Sequence, residues 1–211
     1  SDYAAIKNGS YGKLLKAYYA KQDAEKAASG GETVQNATLM KTGADALKKS
    51  ADALNNDELW EKKIKKKDEK TGEEIEVEDY DWDAITKAMK SFVEDYNDVI
   101  KQAGDSNSRD VLRNAVWLTG ITESNENMLS KIGITVGKGN ELKLDEEALK
   151  KADISALKTL FTGHNSFADK VSMKANSISN AAARYTGTYK SNGTYNNALS
   201  ELVSKKVDEE V

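Results

Sequence analysis

Apolar residues in this chain recur at alternating steps of three and four, the spacing that lines one face of a helix. The clearest run is Trp82, Ile85, Met89, Phe92, Tyr96, Val99 and Ala103, which fills seven consecutive seam positions. At 38% apolar content, one register does this by chance about once in a thousand. The run predicts a helix over 82–103, with Asp81 as N-cap and Gly104 as stop. A second helix is predicted over 32–55, where Ala37, Met40, Ala44, Leu47, Ala51 and Leu54 form a heptad seam. Alanine at every second seam position lets a neighbouring helix approach closely. A helix over 11–29, with Leu14, Leu15, Tyr18 and Tyr19 on its apolar face, is stopped by Gly30-Gly31. A fourth runs from 107 to 120 with Val111, Leu112, Ala115, Val116 and Leu118, is interrupted by Gly120, and resumes through Met128, Leu129 and Ile132. The last long helix spans 166–185, with a stripe of Phe167, Val171, Ala175, Ile178 and Ala182 and a capping-box pair in Ser166 and Asp169.

Two stretches change period. In 58–80, Ile75 and Val77 alternate with glutamates, while Trp60 and Ile64 lie on the far side of "DEKTGEE". That predicts an inserted β-hairpin turning near Lys70-Thr71-Gly72, with one arm rich in lysine and the other in glutamate. Opposite charges across such a hairpin contribute a few tenths of a kcal/mol per pair, roughly. "KKIKKK" therefore reads as half of a self-neutralising hairpin rather than as a patch for an anionic partner. In 132–145, Ile132, Gly133 and Ile134 lead to a turn at Gly137-Lys138-Gly139-Asn140, then Leu142, Leu144 and Asp145. This is a small β corner. Asp145 caps a helix with Glu146 and Glu147 first and Lys150 and Lys151 last, matching the helix dipole at both ends. Asp153 caps a short helix to Phe161, which Gly163 ends.

The pattern predicts a mostly α fold: an elongated antiparallel helical bundle or coiled coil with two small β-hairpins. Residues 1–185 read as one body and 186–211 as a loosely ordered polar tail, with a helical turn or two around 196–204. Composition sharpens this. With 31% charged residues, a thin bundle suits the chain better than a compact globule. There is no proline, where about ten would be usual, as suits long helices. There is no cysteine, which excludes thiol catalysis and thiolate zinc sites. A net charge of −4 gives no basic face for nucleic acid. No run of 18 apolar residues occurs, so no membrane insertion is expected, and "SDYAAIKNGSYGKLL" carries no apolar signal core.

The chemistry-bearing residues are sparse. His164, in "TGHNS", has no second histidine beside it and reads as a loop or capping residue. "DYDWD" opens like a calcium loop, but Ala84 stands where glycine is needed and Lys90 where a glutamate is needed. "GKGN" is followed by a strand, not by the helix a phosphate cradle requires. No catalytic residue, cofactor or metal is expected. The aromatic seam Trp82, Ile85, Met89, Phe92, Tyr96 and Val99 reads as helix packing, within the chain or between chains.

The order of short motifs adds a further expectation. "FVEDYN" (92–97) is followed by "SRDVLRNAV" (108–116), "LSKIGIT" (129–135), a glycine turn, "LKLDEEALKKA" (142–152), "LF" (160–161) and "GHNSFADKV" (163–171). This series resembles the carboxy-terminal part of the flagellar hook-associated protein 2 family, the filament cap. The resemblance covers about residues 85–185, half of the chain. It implies a helical stalk-like region, with the corner turning one long helix into the next. It also implies an exported, non-enzymatic structural component, flagellar cap-like or flagellin-like, whose partners are copies of itself or flagellar components. The alternative from the residues alone is a secreted or surface binding module, adhesin-like, using the charged hairpin and polar tail.

Overall fold

The computed structural model describes Leu14, residues 34–67 and residues 74–186, with the backbone alone described between 63 and 77. The expected features at Leu15, Tyr18, Tyr19 and Gly30-Gly31, the hairpin turn near Lys70-Thr71-Gly72 and the tail after 186 lie outside the described residues. Four long helices dominate: α1 (Val34–Leu54), α2 (Trp82–Asp105), α3 (Arg109–Ser124) and α7 (Phe167–Thr186). Between α3 and α7 come α4 (Glu126–Lys131), strands β3 (Ile134–Val136) and β4 (Leu142–Leu144), α5 (Glu146–Lys151) and α6 (Ile154–Phe161). Strands β1 (Lys62–Lys67) and β2 (Glu74–Tyr80) join α1 to α2 after a 3-10 turn, Asp57–Trp60. The molecule is thus a mostly helical bundle with two antiparallel strand pairs.

Side-chain pairs fix the helix directions. Asp45 meets Ser179 and Asp52 meets Ser172, so α1 and α7 are antiparallel. Gly43 faces Gln102 and Ser50 bonds Asp95, so α1 and α2 are antiparallel too. Asp110 pairs with Arg184 and Trp117 with Lys174, which sets α3 antiparallel to α7. Each of α1 and α3 therefore runs against both α2 and α7.

The α1–α7 contact is built from repeats. Ala37, Ala44 and Ala51 on one helix and Ala168, Ala175 and Ala182 on the other recur every seventh residue, all buried. Small side chains at that spacing let the two backbones close up. Polar brackets flank them. Lys41 holds Asp45 at 2.5 Å and Lys48 holds Asp52 at 2.5 Å, and each aspartate accepts from a serine of α7. At the far end, Gly163 N–H donates to Asn55 Oδ1 at 2.7 Å.

Larger side chains close one end of the core. Trp60 stacks on Phe161 at 6.0 Å, and Phe92, Phe161 and Phe167 pack edge to face at 5.9–6.2 Å. Buried Trp60 donates its indole N–H to Leu54 O, 2.8 Å away. Trp60 therefore belongs to the core and not to the hairpin, which begins only at Lys62. Leu14 is buried in the same core.

Other expectations shift as well. Helix α3 passes straight through Gly120 and ends at Ser124, so the break falls at Asn125 instead. A single glycine costs a helix only about 1 kcal/mol, and the turn it would have ended buries Leu118, Thr119 and Thr122. Gly104 likewise lies inside α2, which ends at Asp105. The buried face of α2 takes in Thr86, Val93 and Ile100 beside the seam residues. A helix with neighbours on two sides needs that wider stripe, whereas a coiled coil buries only its a and d positions. In the hairpin, the backbone register sets Lys63 opposite Asp79 and Lys67 opposite Glu74, with an irregularity between Ile64 and Lys66. Asp81, Asp145 and Asp153 each cap a helix, accepting from Ala84, Ala148 and Ser155.

The carboxylates of this bundle respond to acid in opposite senses. Burial raises Asp45, but the hydrogen bonds from Lys41 and Ser179 and the Lys41 and Lys48 charges bring it below the ordinary value of 3.8. Burial pushes Asp95 above that value against its Ser50 bond, and the Asp98 and Glu94 charges add to the rise. A depressed carboxylate contributes stability above its unfolded value and loses it as pH falls through the folded one. A raised carboxylate subtracts stability once pH climbs through its folded value. In thermal denaturation, Asp45→Asn is therefore expected to be less stable than the native chain at pH 7 by about 0.5–1 kcal/mol, the range of half-exposed pairs. That deficit should close below pH 3.8. Asp95→Asn is expected to gain stability at pH 7 and to match the native chain in acid. Parallel curves at both pH values would contradict the assignment.

Candidate functional site

Tyr96 occupies a seam position, so its ring belongs in the core, yet its hydroxyl cannot be left dry there. Wholly buried, it finds partners on two other segments. The phenol donates to Asn140 Oδ1 in the β corner, and Thr122 Oγ1 of α3 lies 2.7 Å from the same oxygen. Asn140, itself buried, donates from Nδ2 to Thr119 O of α3 at 3.2 Å. One side chain of the corner thus bonds to both α2 and α3. Burial pushes the Tyr96 phenol well above its usual value, against the Thr122 bond and with the Glu123 charge adding to the rise. It stays protonated and acts as a hydrogen-bonding post.

The residue after it completes the hold. Asn97 Nδ2 donates to Leu142 O at 2.9 Å, and Leu142 N–H donates to Asn97 Oδ1 at 2.8 Å. A side-chain amide presents the same donor and acceptor as a peptide. Asn97 therefore takes the place of a neighbouring strand along the outer edge of β4. The inner edge pairs with β3 in the register Ile134–Leu144, Thr135–Lys143 and Val136–Leu142.

The turn brings Asn140 to its post by backbone geometry. Gly139 has φ 89° and Asn140 φ 68°, both left-handed. Glycine takes such values freely, and asparagine tolerates them better than most residues. Asn140 N–H donates to Gly137 O at 3.1 Å, and Gly137 N–H donates to Glu141 O at 2.6 Å. At the other end, Gly133 has φ 87°, and its carbonyl accepts from Asp145 N–H at 2.8 Å. A Cβ there would lie 2.7 Å from Asp145 O and 2.9 Å from Leu149 N. Only glycine lets the chain leave α4 this close to the start of α5. An ion pair from Lys90 to Glu146, 2.8 Å long, ties α5 to α2 on the outside.

The two sets of residues singled out in the sequence thus meet. Ile85, Met89, Phe92, Tyr96 and Val99 are wholly buried inside the chain, and Trp82 is half-buried, edge-on to Tyr80 at 6.2 Å. Ile132, Ile134 and Leu142 fill the space beneath the corner, Leu144 is half-buried, and Asp145 caps α5 from the surface. Thr119 and Thr122 carry no signal in the sequence, and Asn97 and Asn140, though part of a motif and of the turn, give no sign there of bonding α2 to the corner. The available signals were a tyrosine inside an apolar seam and an asparagine closing a Gly-Lys-Gly turn. His164 is exposed, with Nδ1 3.2 Å from Asp169 at the start of α7. Among the described residues, no group of three or more His, Asp or Glu is placed to hold a metal. No family model, curated protein or solved structure matches this chain.

The lock makes a quantitative demand. Tyr96→Phe leaves Asn140 Oδ1 without its donor and should cost about 1–3 kcal/mol in urea denaturation. Tyr96→Phe and Asn140→Ala combined should cost less than the sum of the two, because both remove the same bond. Strict additivity would show that the two residues act separately. Gly133→Ala is expected to cost at least as much as Tyr96→Phe, since the added Cβ meets backbone atoms that cannot move aside.

Proposed function

We propose that this chain is a non-enzymatic structural and assembly protein, a flagellar cap-like or flagellin-like exported component that acts through helix–helix packing. One observation carries this reading. Residues from three of the motifs that resemble the filament-cap series meet in a single built object. Tyr96 and Asn97 from "FVEDYN", Gly133 from "LSKIGIT" and Leu142 and Asp145 from "LKLDEEALKKA" are bonded at the corner, with Ile132 and Ile134 buried beneath it. Their polar atoms bond to one another and to backbone, as befits residues that maintain a shape. The ordered spacing of the motifs is then the spacing of one mechanical unit, which is how a stalk corner would be written in sequence. The partners on this reading are copies of the chain or other flagellar components, with no nucleic acid and no membrane insertion.

A second reading, a surface binding module, draws on Trp117, whose side chain stands on α3 with 62% of the residue exposed. Location separates the two. Flagella are sheared from the source cells, and the sheared fraction, medium and cytosol are probed with and without a working flagellar export apparatus. Signal in filaments or medium that disappears with the export apparatus is the expected result. A pool that stays in the cytosol in both strains would sink the flagellar reading. Medium or surface signal that ignores the apparatus would support the binding module.

A further inference from the structure

Among the large apolar side chains exposed on the described surface (Leu39, Trp117, Met128, Met173 and Tyr185), Trp117 is the most open. Trp117 stands on α3 with Lys174 of α7 4.8 Å from its ring centroid. One turn further on lies Gly120, in mid-helix. A Cβ built there meets nothing within 4 Å, so no contact inside the chain requires a glycine. Glycine is a poor helix residue, and its presence leaves a notch in the surface of α3. At about 3.6 residues per turn, Arg113, Val116, Trp117, Gly120, Glu123 and Ser124 share one arc of that helix.

Charge is sorted along the arc. Arg113 and Arg184, with Asp110 held between them, and Lys174 leave a net positive charge at the Trp117 end, and Glu123 and Glu126 lie at the other. Glu123 has no cation partner among the described residues. Burial pushes its carboxyl up, and the Glu126 charge adds to the rise. The face is thus cationic at one end, anionic at the other, with a knob and a notch between.

We propose that this arc of α3 binds a second copy of the chain, the two α3 helices crossing antiparallel about their Gly120 residues. The inference rests on the assembly reading above and names the surface that would serve it. Antiparallel crossing at that point brings Trp117 of each copy over the notch formed by Gly120, Glu123 and Ser124 of the other. Arg113 and Lys174 of each then face Glu123 and Glu126 of the other. A two-fold contact must be complementary to itself, and this order of charges is so only in the antiparallel sense. Parallel helices would set Glu123 against Glu123. Burial of an exposed tryptophan at the centre of a contact is also where binding energy concentrates.

Sedimentation equilibrium of the full chain across the micromolar range is expected to show a monomer–dimer equilibrium. Trp117→Ser and Gly120→Leu should each weaken it about tenfold or more. A Cβ at Gly120 meets nothing within 4 Å and leucine is the better helix residue, so the Gly120→Leu monomer should melt no lower than the native chain, separating lost contact from lost folding. Arg113→Glu and Glu123→Lys should each weaken the dimer, and the double variant should recover it, because both signs have been exchanged. A monomer at every concentration would overturn the proposal. So would a dimer untouched by Trp117→Ser and Gly120→Leu, although assembly through another face would then stand. A double variant no tighter than the singles would overturn the antiparallel arrangement. A chain that stays monomeric yet is found in sheared filaments would remove this surface and leave the flagellar reading intact.

Discussion

The buried hydroxyl of Tyr96 constrains the rest of the molecule. A phenol ring in the core contributes hydrophobic burial, but its oxygen must then be given partners in the same dry space. Those partners come from Thr122 on α3 and from Asn140 at the tip of the corner. Three segments that are distant in sequence are therefore held to one arrangement by one oxygen. Sliding α3 along α2, or lifting the corner, would strand a buried polar atom, at a cost larger than the net worth of the bond itself. A partly satisfied network of this kind is worse than none, and here Asn140 and Asn97 complete it.

That constraint makes the two sides of the bundle unlike. On the α1–α7 side, alanines every seventh residue let the helices close directly on each other. On the α2–α3 side, Tyr96 meets Thr122 directly and the corner bonds to both helices, with an acceptor for Tyr96, a donor to Thr119 O and a strand edge for Asn97. A small two-stranded unit is marginal alone in water. This one is stable because a helix side chain completes its outer edge and its apolar residues sit on the bundle core. The unpaired edge that could template association with another strand is occupied at Leu142.

Much of the fold was written locally. The α2 seam, the aspartate caps at 81, 145 and 153, and the alternation around Ile134 and Leu142 are signals over a few residues, and each became the element it announced. The failures share a cause. Gly120 signals an interruption because local propensity disfavours it, while the burial of Leu118, Thr119 and Thr122 on either side of it is a tertiary gain. The sequence neighbours of Trp60 point to the hairpin, while its stacking partner, Phe161, lies far along the chain. The lock was half legible for the same reason. A tyrosine in a seam announces that some partner exists, but which partner depends on a chain path that returns 44 residues later to place Asn140.

The heptad repeats of α1 and α7 carry a further consequence. Because alanines, aspartates and serines recur at the same interval on both helices, their pairing is nearly degenerate. A slide of one heptad would set Asp52 against Ser179 and Asp45 against Thr186, and would bring alanine to alanine again. The repeating part of the interface can specify direction and closeness, but not which heptad meets which. That choice falls to the parts that do not repeat: Trp60 stacked on Phe161, Phe167 wedged against Phe92, and Asn55 holding Gly163. The aromatic end is the phase marker of the bundle, and the periodic helices take their register from it.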